Sequence, residues 1–467
     1  MRGNLESINL FANQTVVVAG LGDTGMSCVR FLAAQGAKVF VQDSRVSPPH
    51  AGELCKQFPG IPLKTGSFDV KEFLESDALV VSPGISLAEP AIAAAMKAGI
   101  PVFGDIEIFA RILHLMPVRP IVIAITGANG KSTVTELAGA MCRGSGLKTI
   151  VAGNIGLPVL DAVGDGSVAS AEAIVLELSS FQLETTFSLD ADAATVLNLT
   201  QDHMDRYRGM ENYAAAKSRI FNGHGVQVLN RDDTYSTAMA LVGRKILTFG
   251  LDEPHSKEDY GLRSLEKKRY LVCGEEPVLP LTSLPLLGLH NAANIMAALA
   301  LCESVGLDRE PLLSALSSFK GLPHRMMEVD RINGIAFIDD SKGTNVGATI
   351  AALNGMSSPA VLIAGGDGKG QDFTPLKDAI ESHARAVVLM GQDAPAIEHA
   401  LSGITIPISY ASQMEEAVQR AFSLARHGDT VLLSPACASF DMFRNYVHRA
   451  EVFKAAIRKL EKRGCHD

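Results

Sequence analysis

The segment VIAITGANGKSTVTE, Val122 to Glu136, decides the fold of the central part of this chain. An apolar run that ends in a glycine-rich turn and continues as a helical pattern predicts a strand, a phosphate-binding loop and a helix. In that setting backbone N–H groups cradle phosphates, Lys131 reaches the terminal phosphates, and the Ser132 hydroxyl binds Mg²⁺. The common pattern G-x-x-x-x-G-K-[ST] would put a glycine where the chain has Ile125, and the nearest glycine is Gly127. The loop is therefore a short variant, made of Gly127, Ala128, Asn129, Gly130, Lys131, Ser132 and Thr133.

Length and composition describe a globular protein of several domains. A chain of 467 residues exceeds what one hydrophobic core supports, so two or three domains are expected. Hydrophobic residues make up 47% and charged residues 20%, which is ordinary for a globular chain. The net charge of −9 argues against a broad nucleic-acid-binding or anionic-membrane surface, so we expect no nucleic-acid partner.

Cysteine usage and hydropathy indicate the compartment. The seven cysteines are scattered and never spaced C-x-x-C, which predicts reduced thiols rather than a disulfide framework or a zinc site. The first residues, MRGNLESINLFANQ, lack the apolar run of a signal peptide, and no apolar stretch reaches the ~18 residues of a membrane span. We therefore expect a cytoplasmic protein without a membrane span.

Short apolar runs alternate with helical patterns along the chain, which is typical of parallel sheets covered by helices. Only the segment between about 245 and 287 has a hairpin-like pattern. Turns rich in proline and glycine separate three blocks. We predict three α/β domains, each on a mostly parallel sheet: a Rossmann-like domain over 1–114, a central P-loop ATPase domain over 115–321 and a second Rossmann-like domain over 322–467.

The first block opens with a strand, a turn and a helix, and the turn reads GLGDTG from Gly20 to Gly25. Its G-x-G-x-x-G spacing permits a tight turn and the close approach of a pyrophosphate to a helix N-terminus. Asp43 ends the next strand, where a carboxylate could accept a hydrogen bond from a ribose or a base. A dinucleotide such as NAD, a UDP-sugar and a turn without a ligand all fit this fingerprint.

Three polar residues of the central block have both a functional and a structural interpretation. Glu177 ends an apolar strand, where P-loop enzymes hold Mg²⁺, but a salt-bridged strand end is the alternative. His203 lies in a loop with two aspartates and suits a metal ligand, a helix cap or a core residue. The spacing around Lys217 predicts no more than an exposed helix lysine.

Dense polar clusters follow strands and turns in the second half of the chain: HNAAN, GLPHR, DDSKGTN, GGDGKG and SPACASFDMF. Asp339 and Asp340 could suggest the acid/base pair of a glycosidase, but adjacent residues at a strand end point apart. Cys437 has no evident base nearby, so a buried structural thiol is favoured over a nucleophile.

Taken together, these motifs resemble those of the Mur ligases of bacterial cell-wall synthesis over nearly the whole chain. GANGKST matches the family's short G-x-x-G-K-[ST] loop, and ELSSFQLE, DHMDRY, HNxxN, GLPHR, DSKGTN, GGDGKG and SPACASFD follow in the family's order. SPACASFD, together with SPGI at Ser82 to Ile85 and GLGDTG, favours the members of the family that add D-glutamate.

The resemblance implies a ligase of peptidoglycan synthesis whose substrates are UDP-N-acetylmuramoyl-L-alanine, D-glutamate and ATP. It would join the alanine carboxylate to the D-glutamate amine through an acyl phosphate and release ADP and phosphate. Such an enzyme serves cell-wall biogenesis, cell shape and cell division, and we expect a monomer. The rival hypotheses are a sibling ligase for another amino acid, an NAD-dependent oxidoreductase with a fused P-loop domain, and a non-catalytic nucleotide sensor.

The resemblance also assigns residues to each ligand. The UDP-sugar would contact Asp23, Thr24, Asp43, Ser44, Arg45, Gly84, Asn154 and His203. ATP would be held by the loop at 127–133 and by Asn291, Asn294, Arg325 and Asp340. D-Glutamate would be held by Thr344, Lys369, Ser439 and Tyr446, the last through its backbone.

Catalysis would rest on five residues: Lys131, Glu177, His203, Lys217 and Lys342. The family likeness implies two Mg²⁺ ions, which would be held by Ser132, Glu177, His203 and Lys217. A protonated lysine cannot bind Mg²⁺, which prefers oxygen ligands. The resemblance therefore implies that Lys217 carries a carbamate derived from CO₂.

Overall fold

The computed structural model describes residues 9–286 and 288–464, which form three β-sheets and the helices that cover them. These residues form two compact units, each described by itself below. The first unit contains the chain up to residue 198 together with 211–280 and 294–319, and the second contains 199–210, 281–293 and the chain from 320 onward. Within the described residues, no helix has the length and apolar character needed to cross a membrane.

The first sheet has five parallel strands in the order β3-β2-β1-β4-β5. The chain leaves β1 at the point where the strand order reverses, and in open α/β sheets ligands bind there. The strands are β1 (Thr15–Ala19), β2 (Lys38–Asp43), β3 (Leu63–Thr65), β4 (Ala78–Val81) and β5 (Val102–Phe103). The helices are α1 (Asp23–Ala34), α2 (Ala51–Gln57), α3 (Val70–Leu74), α4 (Pro90–Lys97) and α5 (Asp105–Leu115).

The second sheet has nine strands: β6 (Ile121–Thr126), β7 (Thr149–Gly153), β8 (Ala173–Glu177), β9 (Ala193–Val196), β10 (Val226–Asn230), β11 (Ile246–Phe249), β12 (Tyr260–Leu265), β13 (Lys268–Cys273) and β14 (Glu276–Pro280). They lie in the order β14-β13-β12-β11-β10-β9-β6-β8-β7, and β12, β13 and β14 form an antiparallel meander. The helices are α6 (Lys131–Gly144), α7 (Val159–Gly164), α8 (Ser167–Ser170), α9 (Ser180–Glu184), α10 (Met210–Ser218), α11 (Thr234–Ala238), α12 (Leu289–Ser304) and α13 (Arg309–Ser317).

The third sheet lies in the second unit and has six strands in the order β15-β16-β20-β17-β18-β19, of which only β15 runs antiparallel to its neighbour. The strands are β15 (Met327–Ile332), β16 (Ile335–Asp339), β17 (Ala360–Ala364), β18 (Ala384–Leu389), β19 (Ile408–Tyr410) and β20 (Thr430–Leu433). The helices are α14 (Val346–Asn354), α15 (Leu376–His383), α16 (Ala394–Ala400), α17 (Met414–Leu424) and α18 (Tyr446–Gly464).

The predicted fold class is confirmed, since each sheet is built mostly from parallel strands joined by helices. The central strands are apolar throughout because both faces of the sheet are covered. In β6, for example, Val122 to Ile125 are all completely buried. The hairpin-like pattern corresponds to the antiparallel pairs β12·β13 and β13·β14. The boundaries given for the three domains stay predictions.

Candidate active site

The glycine-rich loop after β6 has the backbone that a phosphate site needs. Gly130 precedes α6 with a φ of +83°, in the left-handed region that favours glycine. A Cβ at this position would lie 2.5 Å from Oδ1 of Asn294, so the side chain predicted to contact ATP packs directly on the loop. The ammonium group of Lys131 folds back and donates to the carbonyls of Gly127 and Ala128, each at 2.9 Å. The first turn of α6 thus faces the loop with N–H groups and a cation, which suits an anion.

Asn198 supports this loop through hydrogen bonds, although no sequence motif had indicated a role for it. Its Oδ1 accepts from the backbone N–H of Asn129 at 2.8 Å, and its Nδ2 donates to the carbonyl of the same residue at 3.0 Å. Its own carbonyl accepts from the N–H of Ala128 at 2.8 Å. The residue follows the strand β9, which pairs with β6. Only its position after a strand in the motif NLT could have identified it.

Glu177 ends β8, the neighbour of β6, and is 2% exposed. Its Oε1 accepts a hydrogen bond from Nδ2 of Asn154 at 2.7 Å. Its Oε2 is buried and has no hydrogen-bond partner among the described residues. Glu177 forms no ion pair with any residue in the described part of the chain, so the alternative of a salt-bridged strand end is not supported. A buried carboxylate oxygen left without a donor is costly unless a ligand completes the site.

Lys217 is not the exposed lysine that its helical spacing predicts. The side chain is 1% exposed, and its Nζ donates to Thr126 Oγ1 at 3.1 Å and to the carbonyl of Gly127 at 2.9 Å. The ring of Tyr213 lies 4.8 Å from the ammonium nitrogen. Periodicity within α10 could not show this because the covering groups come from the end of β6 and the phosphate loop.

The donor set around the loop fits Mg²⁺ when substrate phosphates are counted. Mg²⁺ sites in nucleotide enzymes use one or two protein carboxylates, phosphate oxygens and water. Oε2 of Glu177 is such a carboxylate oxygen, and the buried Ser132 opens α6 beside the loop. No three His, Cys, Asp or Glu side chains in the described part of the chain form a preformed metal cluster. One carboxylate oxygen and one hydroxyl group would thus fit a Mg²⁺ ion that takes its other ligands from phosphate and water.

The turn after β1 is shaped by two glycines that the backbone requires. Gly20 has a φ of +93°, and a Cβ there would lie 2.9 Å from the hydroxyl oxygen of Ser82. A Cβ at Gly25 would lie 1.9 Å from the carbonyl oxygen of Gly20. The Ser82 hydroxyl donates to that same carbonyl at 3.1 Å, so the SPGI motif is part of this turn.

Two further glycines at this turn are not required by the fold. Gly22 has a negative φ, and among the described residues none lies within 4 Å of a Cβ built there or at Gly84. Glycine at such positions lets a ligand approach the backbone. Nearby, Oδ2 of Asp43 accepts from the N–H of Leu21 at 2.7 Å, and the Arg45 guanidinium pairs with the same carboxylate. Burial alone would raise the pKa of Asp43, but these hydrogen bonds outweigh it and lower the pKa.

The carboxylate of Asp23 pairs with His50, whose Nε2 lies 2.7 Å from Oδ1. The other ring nitrogen of His50 lies 2.8 Å from Oε2 of Glu53. Burial lowers the pKa of His50, but the two carboxylates more than compensate and raise it above its ordinary value. When His50 is protonated, it offsets the negative charge that Asp23 brings to the turn. Thr24 lies in the first turn of α1, and Ser44 follows β2 at the surface.

In the second unit, three loops follow the neighbouring strands β16, β17 and β20. Lys342 and Thr344 lie in the loop after β16, Lys369 in the loop after β17, and Ser439 in the loop after β20. The carboxyl ends of adjacent parallel strands meet at one edge of a sheet, which brings these loops together. Backbone hydrogen bonds between Asp367 and Ala438, at 2.7 and 3.1 Å, join the second loop to the third.

The ammonium group of Lys369 forms an ion pair with the carboxylate of Asp202, in the segment 199–210 of the same unit. Lys369 has a φ of +52°, unusual for a residue with a side chain. Nε2 of His203 lies 3.7 Å from the same carboxylate. The sequence placed Asp202 in a polar loop but gave it no role. The structure identifies it as the carboxylate beside a predicted D-glutamate ligand.

Asp340 is buried near Arg325, and both residues are predicted to hold ATP. The Ser434 hydroxyl donates to Oδ2 of Asp340 at 2.7 Å. Burial raises the pKa of Asp340 to about 7, although that hydrogen bond and the charge of Arg325 act in the opposite direction.

Asn291 lies in the first turn of α12, where its N–H donates to the carbonyl of Gly288 at 3.1 Å.

Tyr446 begins α18 and contacts Lys342, a predicted catalytic residue, and Ser341 beside it. Its carbonyl accepts from the Ser341 hydroxyl at 2.8 Å, and its ring centroid lies 5.2 Å from the Lys342 ammonium nitrogen. Ser439 is buried in the loop after β20. Cys437 is completely buried, as expected for a structural thiol, and burial raises the pKa of its thiol.

Models of three protein domains match the chain. The N-terminal domain model of the Mur ligases that resemble the D-glutamate-adding enzyme matches residues 14–104. The Mur ligase middle domain matches residues 125–302, and the glutamate ligase domain of the Mur ligases matches residues 324–437. Together these matches cover most of the chain, in the order of the three sheets.

Curated relatives match the chain over nearly its whole length. The UDP-N-acetylmuramoylalanine–D-glutamate ligase of Methylobacillus flagellatus is 54% identical over 97% of this chain and 98% of its own. The enzyme of the same name from Thiobacillus denitrificans is 54% identical over 98% of both chains. Among solved structures, the UDP-N-acetylmuramate–alanine ligase of Thermotoga maritima is 19% identical with a TM-score of 0.60, covering 96% of this chain and 100% of its own, which shows a shared fold. On these matches, the chain belongs to the Mur ligase family.

Proposed function

We propose that this protein is the ATP-dependent ligase that joins D-glutamate to UDP-N-acetylmuramoyl-L-alanine in peptidoglycan synthesis. The observation that carries the proposal is the 54% identity to D-glutamate-adding ligases over 97% of the chain. The phosphate loop at Gly127–Thr133, with a buried carboxylate on the adjacent strand, supports the use of ATP. A non-catalytic nucleotide sensor would need neither the Lys342 loop nor the Lys369 loop.

The chemistry explains why two anions must be brought together. A carboxylate is a poor electrophile, so an oxygen of the alanine carboxylate first takes the γ-phosphoryl group of ATP, and ADP leaves. The unprotonated amine of D-glutamate then attacks the acyl carbon, and the tetrahedral intermediate expels phosphate as the amide forms. The protein supplies no nucleophile in this scheme. It supplies positioning and positive charge, which dominate catalysis of this kind.

Residues of the first unit serve the phosphoryl transfer. Lys131 leaves the loop carbonyls that it contacts in this structure and binds the β- and γ-phosphates. Bound Mg²⁺ would neutralise charge on the phosphates and on the transferring group. Ser132 and Glu177 would hold one ion, whereas the second would be held by His203 and Lys217.

Lys217 serves as a metal ligand only after its amine has reacted with CO₂. The nitrogen lone pair attacks the carbon of CO₂, and loss of the amine proton leaves a carbamate anion. Its burial beside Gly127 supports this role, because the side chain is held at the phosphate loop instead of in water. An ammonium group there would compete with a metal ion for the same place.

The remaining ligands follow the loops already described. The UDP group binds at the turn after β1 with Thr24, Ser44 and Arg45, where Gly22 and Gly84 leave the backbone accessible. Asn154, beside Glu177, contacts the muramoyl-alanine portion. Lys369 and Thr344 take one carboxylate of D-glutamate, and Ser439 takes the other with the backbone at Tyr446. Asn291, Asn294, Arg325 and Asp340 hold the adenosine.

We further propose that the protein acts in the cytoplasm as a monomer. The six cysteines in the described part of the chain are free thiols, which suits a reducing compartment. ATP and UDP-linked precursors are present there as well.

The decisive experiment measures phosphate release by the purified protein with ATP and Mg²⁺. We expect release only when UDP-N-acetylmuramoyl-L-alanine and D-glutamate are both present, with the amide product seen by mass spectrometry. L-Glutamate, L-alanine and meso-diaminopimelate replace D-glutamate as matched controls. Turnover with one of these instead would assign the chain to a sibling ligase. Release without either substrate would favour a simple ATPase, and NAD in the purified protein would contradict the interpretation of the turn at Gly20–Gly25.

A further inference from the structure

Arg449, in the first turns of α18, has the largest fully buried side chain in the described part of the protein. It is 2% exposed and forms no ion pair with a carboxylate of the described chain, although the charges of Asp339, Asp340 and Asp441 act on it from a greater distance. Burying a charge without a direct ion pair is costly, and such groups are retained where they make several hydrogen bonds. The structure therefore raises the question of what this arginine holds in place.

All of its side-chain hydrogen bonds go to two loops of the candidate D-glutamate site. Its Nε donates to Ser341 Oγ at 3.0 Å, and one terminal nitrogen donates to the Ser341 carbonyl at 2.8 Å. The other terminal nitrogen donates to the carbonyls of Cys437 and Ala438, at 3.1 and 3.3 Å. Ser341 directly precedes Lys342, and Ala438 directly precedes Ser439.

The two loops that Arg449 contacts have no regular secondary structure, and the loop after β20 contains a strained residue. Ala436 has a φ of +58°, which strains a residue with a Cβ. Its N–H donates to the carbonyl of Gly343 at 3.0 Å, and its own carbonyl accepts from Gln371 at 2.9 Å. These contacts tie the loop after β20 to the loops after β16 and β17, and the guanidinium fork fills the space at their base.

We propose that Arg449 is a positioning residue that sets the spacing between the loop of Lys342 and Thr344 and the loop of Ser439, and thereby the affinity for D-glutamate. This inference rests on the proposed function, which places D-glutamate between these loops. Burial lowers the pKa of Arg449 to about 10, so its charge is still present at neutral pH and adds to the field that a dianionic substrate meets. A planar fork with five donors can bond both loops at once, whereas a lysine ammonium cannot.

The test compares Arg449→Lys, which keeps the charge, with Arg449→Met, which removes it, using steady-state phosphate release. We expect both variants to raise the KM for D-glutamate by about 10²-fold, the size of effect that small misplacements of reacting groups produce. The KM for UDP-N-acetylmuramoyl-L-alanine should stay unchanged. A loss of folded enzyme would lower kcat without this split, because KM does not depend on the amount of active protein.

Two further variants keep the result interpretable. Arg385→Lys is the matched control, since Arg385 pairs with Asp429 elsewhere in the same unit and should leave the KM for D-glutamate unchanged. Ser341→Ala removes one acceptor of Arg449 and should raise that KM in the same direction by a smaller factor, even if the arginine variants do not fold. A wild-type KM for D-glutamate in Arg449→Lys, or an equal rise for all three substrates, overturns the inference. If the wild-type protein shows no dependence on D-glutamate at all, the proposed function itself has failed.

Discussion

Lys369 forms an ion pair with Asp202, so a carboxylate of the protein occupies its ammonium group in the structure. Asn345 also points its Nδ2 at Asp202, with 3.4 Å to Oδ2. A carboxylate of D-glutamate that binds Lys369 must share this ammonium group with Asp202 or displace it. The pair therefore marks Lys369 as a site that already favours a carboxylate.

Replacing Lys369 should weaken D-glutamate binding specifically. Loss of a charge-assisted hydrogen bond costs about 1.5–3 kcal/mol, so Lys369→Ala should raise the KM for D-glutamate by roughly 10- to 150-fold. The KM for ATP should change little in the phosphate-release assay. Lys377→Ala is the matched control, because the ammonium group of that half-buried lysine donates only to the carbonyl of Ser402. A fall in ATP affinity instead would show that the assignment of this loop is mistaken.

Removing the cation of the phosphate loop should abolish amide formation. Lys131 already lies on the carbonyls of the loop, from which it can turn to a phosphate. We expect Lys131→Ala to lower kcat by about 10³-fold or more, since electrostatic stabilisation of the transferring group has this magnitude. Lys148→Ala, at an exposed position of the same unit, should be unaffected. Near-normal turnover of the Lys131 variant would mean that ATP binds elsewhere.

The carbamate at Lys217 has a spectroscopic signature that does not depend on activity. Protein exchanged into ¹³C-bicarbonate should show a carbamate ¹³C resonance, and Lys217→Arg should lack it because a guanidinium does not form a stable carbamate. Both Lys217→Arg and Lys217→Ala should be nearly inactive, and a short carboxylic acid should partly restore the alanine variant. If the resonance persists in Lys217→Arg, or if that variant keeps wild-type activity, Lys217 is a structural lysine.

The two classes of glycine in the first turn predict opposite phenotypes. Gly25→Ala would place a Cβ 1.9 Å from the carbonyl of Gly20, so this variant should lose stability, measured as a lower Tm. Gly22→Ala has space within the described protein and should fold with a Tm close to wild type. Its methyl group would instead meet the bound diphosphate and raise the KM for the UDP substrate by about 10-fold or more, equivalent to about 1.4 kcal/mol. A wild-type KM would show that no ligand approaches this turn.

Asp105 should make stability depend on pH. Burial raises its pKa from 3.8 to about 6, although a hydrogen bond from Gln182 acts in the opposite direction. Between these values the folded protein binds more protons at this site than the unfolded chain, so its contribution to the free energy of unfolding falls as pH rises. Above about pH 6 the cost of a buried charge is fully present, on the order of 1–3 kcal/mol.

Asp105→Asn removes that cost. We expect its Tm to exceed that of the wild type at pH 7 to 8 and the difference to shrink toward pH 4, as measured by thermal melts across this range. Asp308→Asn, at an exposed position that caps no helix through its side chain, serves as the control. A difference in Tm that is constant with pH would show that folding does not raise the pKa of Asp105.

Elements whose signals are local could be predicted from residue type and spacing. Glycine spacing placed the turns at Gly20–Gly25 and Gly127–Thr133, because a tight or left-handed backbone restricts the residue that can occupy it. Apolar runs predicted the strands that precede these turns, and the order of motifs indicated the family. Each of these features depends on neighbours within a few positions along the chain.

Burial and side-chain contacts depend on residues that are distant in sequence, so they became known only from the folded chain. Lys217 is buried because the end of β6 covers it, and nothing in the periodicity of α10 records that contact. Asn198, Asp202 and Arg449 gained their roles only when strands far apart in sequence became adjacent and brought their loops to one edge of a sheet. Burial and hydrogen-bond partners are properties of position in space, so residue type and spacing alone could not assign them.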